Sequence, residues 1–367
     1  MEINKIREFT YERYRSNNFF PSLDGLRAIA VVLVLIVHYG GEGSQFLTGW
    51  LGVQMFFVLS GFLITTLLLR ESDKYGGISL KHFYLRRVFR IVPVYYLVLA
   101  FTVWQTWRLG GESWDQLKVA LPYYLTFMNE QTGAAPWKPT WTLGIEWKFY
   151  LVWPLLAFFV ARGTLGRMLV AAIAAAFLCK FWATPHINAY HYSVLLMGSV
   201  LAIVMHDRRG FAVVSQLGRP WISVAVFIGF LFFQTRVGDF KKALGDASLA
   251  NLYGLAVVIL LPAVLGPNLP GRILASKPMV FIGERSYSMY LTQVVVSQMV
   301  TGFAPWREHG WAYVAQIVVL SMVVSDAMLR YVEKPAKRVG EHIGKNLRRE
   351  SVHRPGAVSA VATTQDF

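Results

Sequence analysis

The chain has 367 residues, of which 55% are hydrophobic, 15% aromatic and 16% charged, and its formal net charge is +15. A soluble protein carries about a quarter charged residues, so the composition excludes a soluble globular protein and predicts several membrane spans. The basic residues flank apolar runs instead of forming one aromatic-laced face, which favours membrane orientation and argues against nucleic-acid binding. The single cysteine, Cys179, excludes an internal disulfide and a cysteine-based metal cluster.

The predicted fold class is all-α and integral to the membrane, with about ten transmembrane helices. A segment over 117–128 is too short to cross the bilayer and is interpreted as re-entrant or interfacial. The ten spans are predicted at 26–42, 50–69, 91–108, 145–161, 167–183, 191–206, 221–235, 249–266, 279–302 and 311–332.

The distribution of lysine and arginine predicts that both termini are cytoplasmic. With ten spans, most of these residues fall in inner segments, as the positive-inside rule requires. We therefore expect a multi-pass protein of the inner cell membrane, in which the first residues are too polar for a cleaved signal peptide. Three regions follow: a cytoplasmic or interfacial lead-in over 1–21, a membrane domain over 22–335, and a basic, disordered tail over 336–367.

The first span holds the strongest candidate for chemistry. An apolar run over 28–37 separates Arg27 from His38. Eleven residues make roughly three helical turns, so the two side chains share one stripe about 16 Å apart. Ionisable groups within spans are costly and usually line a cavity or a reaction path. A histidine hydrogen-bonded between helices for packing remains the alternative.

The next spans add a serine and an arginine pair. Ser60 lies with Gly52 and Gly61 among small residues that permit close helix packing, and it is also a candidate for substrate contact. Arg87 and Arg90 are three residues apart on one helical face. Paired guanidinium groups can bind phosphate bidentately, although contact with lipid headgroups is the alternative interpretation.

Further along, Glu146 enters the membrane near its outer face. A carboxylate there could orient a histidine and stabilise its imidazolium, whereas a salt bridge to Lys148 or Arg285 is the alternative. His186 and His191 flank an outer loop and are predicted to lie at the surface. No spacing of histidines, cysteines and carboxylates predicts a metal site.

Together these motifs resemble the acyltransferase 3 family of integral membrane O-acyltransferases, and they cover nearly the whole chain. The matching pieces are Ser22-Leu-Asp-Gly-Leu-Arg27 with the Arg-x10-His pattern ending at His38, Phe56-Phe-Val-Leu-Ser-Gly-Phe-Leu-Ile64, Arg87-x-x-Arg90, Trp141-Thr-Leu-Gly-Ile-Glu146 with Phe149-Tyr-Leu-x-Trp-Pro154, Ser286-Tyr-Ser-x-Tyr-Leu291, and Tyr331-x-Glu-x-Pro335. The resemblance implies a ten-helix enzyme that moves acetyl or another acyl group from a cytoplasmic CoA thioester. The implied acceptor is a carbohydrate hydroxyl, on a surface polysaccharide, lipopolysaccharide, peptidoglycan, antibiotic or nodulation lipo-oligosaccharide.

The chain departs from the family pattern at three positions. Family members often carry acids where this chain has Gln54 and Trp147, and a histidine where it has Gln293. Roles that depend on those positions do not carry over. We expect the extra extracytoplasmic hydrolase-like domain of some members to be missing. We therefore expect a short form, similar to rhizobial nodulation-factor and exopolysaccharide acetyltransferases.

The hypothesis of acyl transfer through the membrane gives each candidate residue a role. Arg87 and Arg90, helped by Arg27, would bind the acyl-CoA phosphates, and His38 would act as general base with support from Glu146. Further candidates for lining the substrate path are Asp24, Ser60, Trp141, Tyr287 and Tyr290. Acyl-CoA is expected as a co-substrate, with no permanently bound cofactor and no metal. The expected partners are the carbohydrate or glycolipid acceptor and membrane lipids.

A transporter or flippase of an anionic glycolipid is the alternative function. The same arginines would then attract the ligand and His38 would relay protons. Transporters commonly contain paired, broken helices in two related halves, and the sequence shows no such symmetry.

Overall fold

The computed structural model describes residues 9–17, 19–41, 44, 47–132, 135–161, 163–179, 189–303 and 310–352. Within these ranges every regular element is a helix, which confirms the all-α fold class. The helices are α1 Tyr11–Ser16, α2 Pro21–Tyr39, α3 Gly52–Tyr75, α4 Leu80–Leu109, α5 Gly111–Leu125, α6 Trp141–Leu155, α7 Gly163–Cys179, α8 Ala189–His206, α9 Arg208–Val214, α10 Pro220–Leu265, α11 Leu269–Leu274, α12 Lys277–Phe303, α13 Trp311–Met328 and α14 Lys334–Val352. Short 3-10 turns cover Gly49–Leu51, Asn129–Gln131, Lys138–Thr140 and Ser215–Gly218, and π-helical turns cover Leu156–Val160 and Leu329–Glu333.

Seven helical stretches of the described chain are long and apolar enough to cross a membrane, so the protein is an integral membrane protein. One of them, α10, contains two of the predicted spans. The two are separated at Gly245, where the backbone leaves the helical conformation (φ 74°, ψ 173°). The shorter α7 and the more polar α12 coincide with two further predicted spans. The count of ten spans and the side occupied by each terminus stay predictions.

The segment predicted to be re-entrant or interfacial lies mainly in α5. A break at Gly110 (φ 66°) separates α5 from α4. The 15 residues of α5 rise by about 22 Å, less than the roughly 30 Å of a hydrocarbon core. This helix is accordingly not among the candidate membrane spans.

Helix α2 packs against α3, α11, α12 and α13, and glycines allow the closest approaches. A Cβ atom on Gly52 would lie 2.5 Å from the carbonyl oxygen of Ala30, and one on Gly283 would lie 1.9 Å from that of Asp24. A Cβ on Gly61 would lie 1.9 Å from the carbonyl oxygen of Leu195 in α8. The packing role predicted for Gly52 and Gly61 is therefore confirmed.

The C-terminal region differs from the predicted disordered tail. Residues 334–352 form α14, which packs against α4, so the prediction is wrong for 336–352; residues 353–367 lie outside the described chain. Gly340 and Gly344 are four residues apart and therefore share one helical face. A Cβ on Gly340 would lie 2.8 Å from the Phe89 Cβ, so the absence of a side chain lets α14 contact α4.

Candidate active site

A cavity of about 270 Å³ lies among α2, α3, α4, α6 and α12, and we call it the inner cavity. Most residues singled out from the sequence meet there. They come from five separate helices, which the fold brings together around this cavity. The predicted residues that line it are Arg27, Ser60, Arg87, Arg90, Glu146, Tyr287 and Tyr290.

The arginine pair gives the inner cavity its positive charge. Arg87 is only 8% exposed, and its guanidinium carbon lies 5.6 Å from the Phe83 ring centroid and 5.8 Å from that of Tyr150. Its Nε has no hydrogen-bond partner, and in the described chain neither Arg87 nor Arg90 has a carboxylate within ion-pair distance. Buried cations are costly without a counter-charge, so this geometry favours an anionic ligand.

Asp24 does not line the inner cavity. Its carboxylate accepts a hydrogen bond from Arg27 Nη1 at 2.8 Å, and the residue is buried. The structure therefore gives Asp24 a contact that orients Arg27, one helical turn away on α2. The ring of Tyr287 is fixed in a comparable way, since its hydroxyl donates to the Ile91 carbonyl oxygen at 2.8 Å.

Glu146 faces the inner cavity and accepts a hydrogen bond from Ser60 Oγ at 2.5 Å. The alternative salt bridges are wrong, because both proposed partners are engaged elsewhere. Lys148 pairs with Glu130, and Arg285 pairs with Asp326 at 2.5 Å. Glu146 therefore contributes its carboxylate to the same cavity as the arginines.

His38 lies in a second cavity of about 230 Å³, which we call the outer cavity. The two cavities share Val53 and Tyr290 in their walls. Arg27 and His38 stand on one continuous helix, as predicted, and each belongs to a different cavity. The side chain of His38 remains accessible. Trp141, another residue predicted to line the substrate path, borders the same outer cavity.

The ring partner of His38 is Gln293 and not the expected Glu146. Gln293 is fully buried, and its Nε2 donates to the Tyr290 carbonyl oxygen at 2.9 Å. Its Oε1 is therefore the atom that lies 2.8 Å from His38 Nδ1. An amide oxygen only accepts, so Nδ1 carries the hydrogen and Nε2 keeps its lone pair. This tautomer is the one that a general base acting through Nε2 requires.

The prediction that His191 lies at the surface is wrong. The residue is 4% exposed in the first turn of α8, and its Nδ1 is 3.1 Å from Gln54 Nε2. Its ring centroid lies 4.6 Å from that of Trp141 and 4.0 Å from that of Tyr190. His191 thus borders the outer cavity together with His38. His186 lies outside the described residues.

Sequence reasoning missed Gln293 and His191 for different reasons. In the sequence, Gln293 stands out only as a departure from a family pattern, because a single buried amide leaves no periodic signal. His191 stands beside a short polar stretch, which made a loop position the natural interpretation. Its proximity to Gln54 depends on the packing of α8 against α3, which the sequence alone does not show.

The fold and the two cavities define a polytopic membrane protein in which an arginine-lined cavity adjoins an accessible histidine. The profile of an acyltransferase domain matches residues 20–330. The chain belongs to the acyltransferase 3 family, which confirms the resemblance noted in its motifs.

Two curated relatives extend the comparison. The chain is 27% identical over 356 residues to the peptidoglycan O-acetyltransferase OatA of Listeria monocytogenes, covering 89% of this chain and 57% of that protein. It is 27% identical over 365 residues to the O-acetyltransferase OatA of Staphylococcus aureus, covering 90% of this chain and 59% of the relative. The chain thus spans less than two thirds of the length of these relatives. No solved structure matches it.

Proposed function

We propose that the protein is a membrane O-acetyltransferase that moves an acyl group, in the first place acetyl, from cytoplasmic acyl-CoA to a carbohydrate or glycolipid hydroxyl. The observation that carries this proposal is the placement of Arg27 and His38 at opposite ends of α2, in two adjoining cavities. Family membership supports acyl transfer over the alternative of transport.

The donor would enter at the inner cavity. Arg87 and Arg90 would bind its phosphates, since guanidinium groups match phosphate geometry and these two lack a carboxylate partner in the described chain. The pantetheine arm would then lie along α2 and bring the thioester past Val53 and Tyr290. The carbonyl carbon would thereby reach the neighbourhood of His38.

The outer cavity would hold the acceptor. Its wall contains the aromatic rings of Trp50, Trp141 and Tyr190, which offer flat apolar surfaces to a sugar ring. Lys241 and Asp246, paired at 3.1 Å, add polar groups to the same wall. The Listeria monocytogenes relative is named as a peptidoglycan O-acetyltransferase, which supports a carbohydrate acceptor such as peptidoglycan. A lipo-oligosaccharide of the nodulation type fits the same chemistry.

The reaction would use His38 as general base. Its Nε2 takes the proton of the acceptor hydroxyl while that oxygen attacks the thioester carbonyl. Collapse of the tetrahedral intermediate breaks the carbon–sulfur bond, and the departing thiolate receives the proton. An O-acyl sugar and free CoA result. Gln293 Oε1 accepts from Nδ1–H throughout, and general-base help of this kind contributes roughly 10²–10⁴-fold.

This proposal also fixes sidedness. Both termini would be cytoplasmic and the protein would reside in the inner cell membrane, so donor and acceptor would approach from opposite faces. In sealed vesicles of known orientation, labelled acetyl-CoA should support reaction only from the face that bears the C-terminus. The acceptor, a peptidoglycan fragment or a lipo-oligosaccharide, should be modified only on the other face.

Two results would contradict the proposal. A full rate with donor and acceptor both on the C-terminal side would show a one-sided active site. Movement of an unmodified glycolipid without any acyl ester would establish the transporter alternative. The matched control is His38→Ala protein in the same vesicles, which should form no ester.

A further inference from the structure

A third cavity, of about 530 Å³, adjoins the inner cavity and contains residues of α14, and we call it the basal cavity. It shares Leu67, Arg87 and Arg90 with the inner cavity. Its wall has four basic side chains and two carboxylates: Arg86, Arg87, Arg90, Lys337, Glu71 and Glu341. The positive charge of the inner cavity therefore continues as far as α14.

Lys337 is held in place by a buried acid. Glu333 is 2% exposed, accepts a hydrogen bond from Ser288 Oγ at 2.6 Å, and lies 3.3 Å from Lys337 Nζ. Glu333 ends the π-helical turn Leu329–Glu333, a rare geometry that occurs frequently at functional sites. Ser288 in turn follows two residues of the inner-cavity wall, Ser286 and Tyr287. Glu333 thus connects Lys337 on α14 to α12, the helix that contributes Ser286 and Tyr287 to the inner-cavity wall.

The backbone of α14 is fixed against α4 by its glycine face. A Cβ on Gly344 would lie 2.7 Å from the His82 ring, and one on Gly340 would clash with Phe89. Side chains at these two positions would push α14 away from the arginines. The contact thus sets how far the Lys337 ammonium lies from Arg87 and Arg90.

The charges of the basal cavity divide into paired and unpaired groups. Arg86 forms an ion pair with Glu71 at 2.6 Å, and Lys337 forms one with Glu333 at 3.3 Å. Arg87 and Arg90 have no carboxylate partner in the described chain. Lysine binds phosphate as a compact point charge, whereas arginine binds it through a planar fork. The arrangement suits a ligand with separated phosphate groups, some near the arginines and one farther out at α14.

We propose that Lys337 is a donor-binding residue and that α14 recognises the phosphorylated nucleotide end of acyl-CoA. This inference rests on the proposed function. The nucleotide phosphates lie at the far end of the donor from the thioester. Losing a contact with them weakens donor binding and leaves the chemical step at His38 unchanged.

The test compares donors that differ only at that end, namely acetyl-CoA and acetyl-pantetheine, in initial-rate assays with a fixed acceptor. Lys337→Ala should raise the KM for acetyl-CoA roughly tenfold at unchanged kcat, since a charge-assisted hydrogen bond is lost. Its kcat/KM for acetyl-pantetheine should equal that of the unsubstituted protein. Lys334→Ala, an exposed lysine on the same helix, is the matched control and should change neither. Lys337→Arg should keep most of the preference for acetyl-CoA.

A second variant tests the helix without removing charge. Gly340→Leu should lower the preference for acetyl-CoA over acetyl-pantetheine, because it moves α14 off Phe89. If Lys337→Ala lowers kcat/KM equally for acetyl-CoA and acetyl-pantetheine, the role of Lys337 is purely structural. If kcat/KM falls with neither donor, Lys337 does not contact the donor. Either result overturns this inference while leaving acyl transfer intact. Failure of the unsubstituted protein to use acetyl-CoA at all would overturn both proposals.

Discussion

Replacing Gln293 tests whether an amide, in place of a carboxylate, holds the base. Gln293→Leu fills a similar volume but removes the acceptor for His38 Nδ1–H. The imidazole can then move its hydrogen to Nε2, where it blocks proton abstraction. The imidazolium formed during the reaction also loses its hydrogen bond. Under the proposed mechanism, Gln293 would be a positioning residue that acts through His38.

The expected loss of kcat follows from the free energy of the hydrogen bond between His38 Nδ1–H and Gln293 Oε1. A hydrogen bond to a charged group is worth about 1.5–3 kcal/mol, and each 1.36 kcal/mol corresponds to a tenfold change in rate. We therefore expect kcat to fall roughly ten- to a hundredfold in Gln293→Leu. The KM for acetyl-CoA should not change, because Gln293 lies outside the inner cavity wall. The measurement is an initial-rate titration of acetyl-CoA with protein reconstituted in vesicles.

Two further variants make this test specific. Gln293→Glu keeps an oxygen acceptor for Nδ1–H, so its kcat should stay within a few-fold of the unsubstituted protein. Gln298→Leu is the matched control, a glutamine on the same helix whose Oε1 has no partner, and its kcat should be unchanged. The reasoning is refuted if well-inserted Gln293→Leu protein keeps full kcat. It is equally refuted if the Leu and Glu variants lose the same activity.

Three other predictions follow from the same geometry. His38→Ala should abolish transfer while the protein still accumulates in membranes. The control is His342→Ala, at an exposed histidine, which should be fully active. More than a few per cent of residual activity in His38→Ala would show that His38 is not the base. Arg87→Ala and Arg90→Ala should each weaken CoA binding roughly ten- to a hundredfold in a direct titration, since each loses a charge-assisted phosphate contact, and unchanged affinity would leave them as membrane-flanking residues. Gly61→Leu should sharply reduce the amount of folded protein measured by detergent-solubilised size-exclusion chromatography, because its Cβ would overlap the Leu195 carbonyl; Gly229→Leu, with open space around it, should accumulate normally.

The helical fold was largely accessible from the sequence, because long apolar runs have few alternatives in a bilayer. Backbone groups in hydrocarbon must be paired within one helix, so an uncharged run such as 28–37 specifies its own secondary structure. The small residues of the second span were equally informative, since Gly61 has no room for a side chain. The structure of the tail could not be predicted in this way, because the glycine face of α14 packs against α4, a helix far away in the sequence.

The sequence indicated which residues form the candidate site, but it did not indicate which side chain each of them contacts. Arg27, Arg87, Arg90 and Glu146 meet in one cavity, as charged groups within spans tend to do. Which carboxylate or amide faces His38 depends on how α12 is rotated against α2. That rotation is set by close contacts such as Gly283 on Asp24, and no spacing within either helix encodes it.

The close packing of α2 has a consequence for how donors are selected. Backbone contacts at Gly52 and Gly283 fix this helix on two sides, and an α-helix rises by about 1.5 Å per residue. The separation between Arg27 and His38 is therefore a constant of the protein, equal to the length of eleven residues of helix. Inserting one residue between Arg27 and His38 would lengthen that spacer only slightly, yet it would rotate the imidazole about 100° away from Gln293. Under the proposed function, helix α2 would match one length of donor arm to the position of His38.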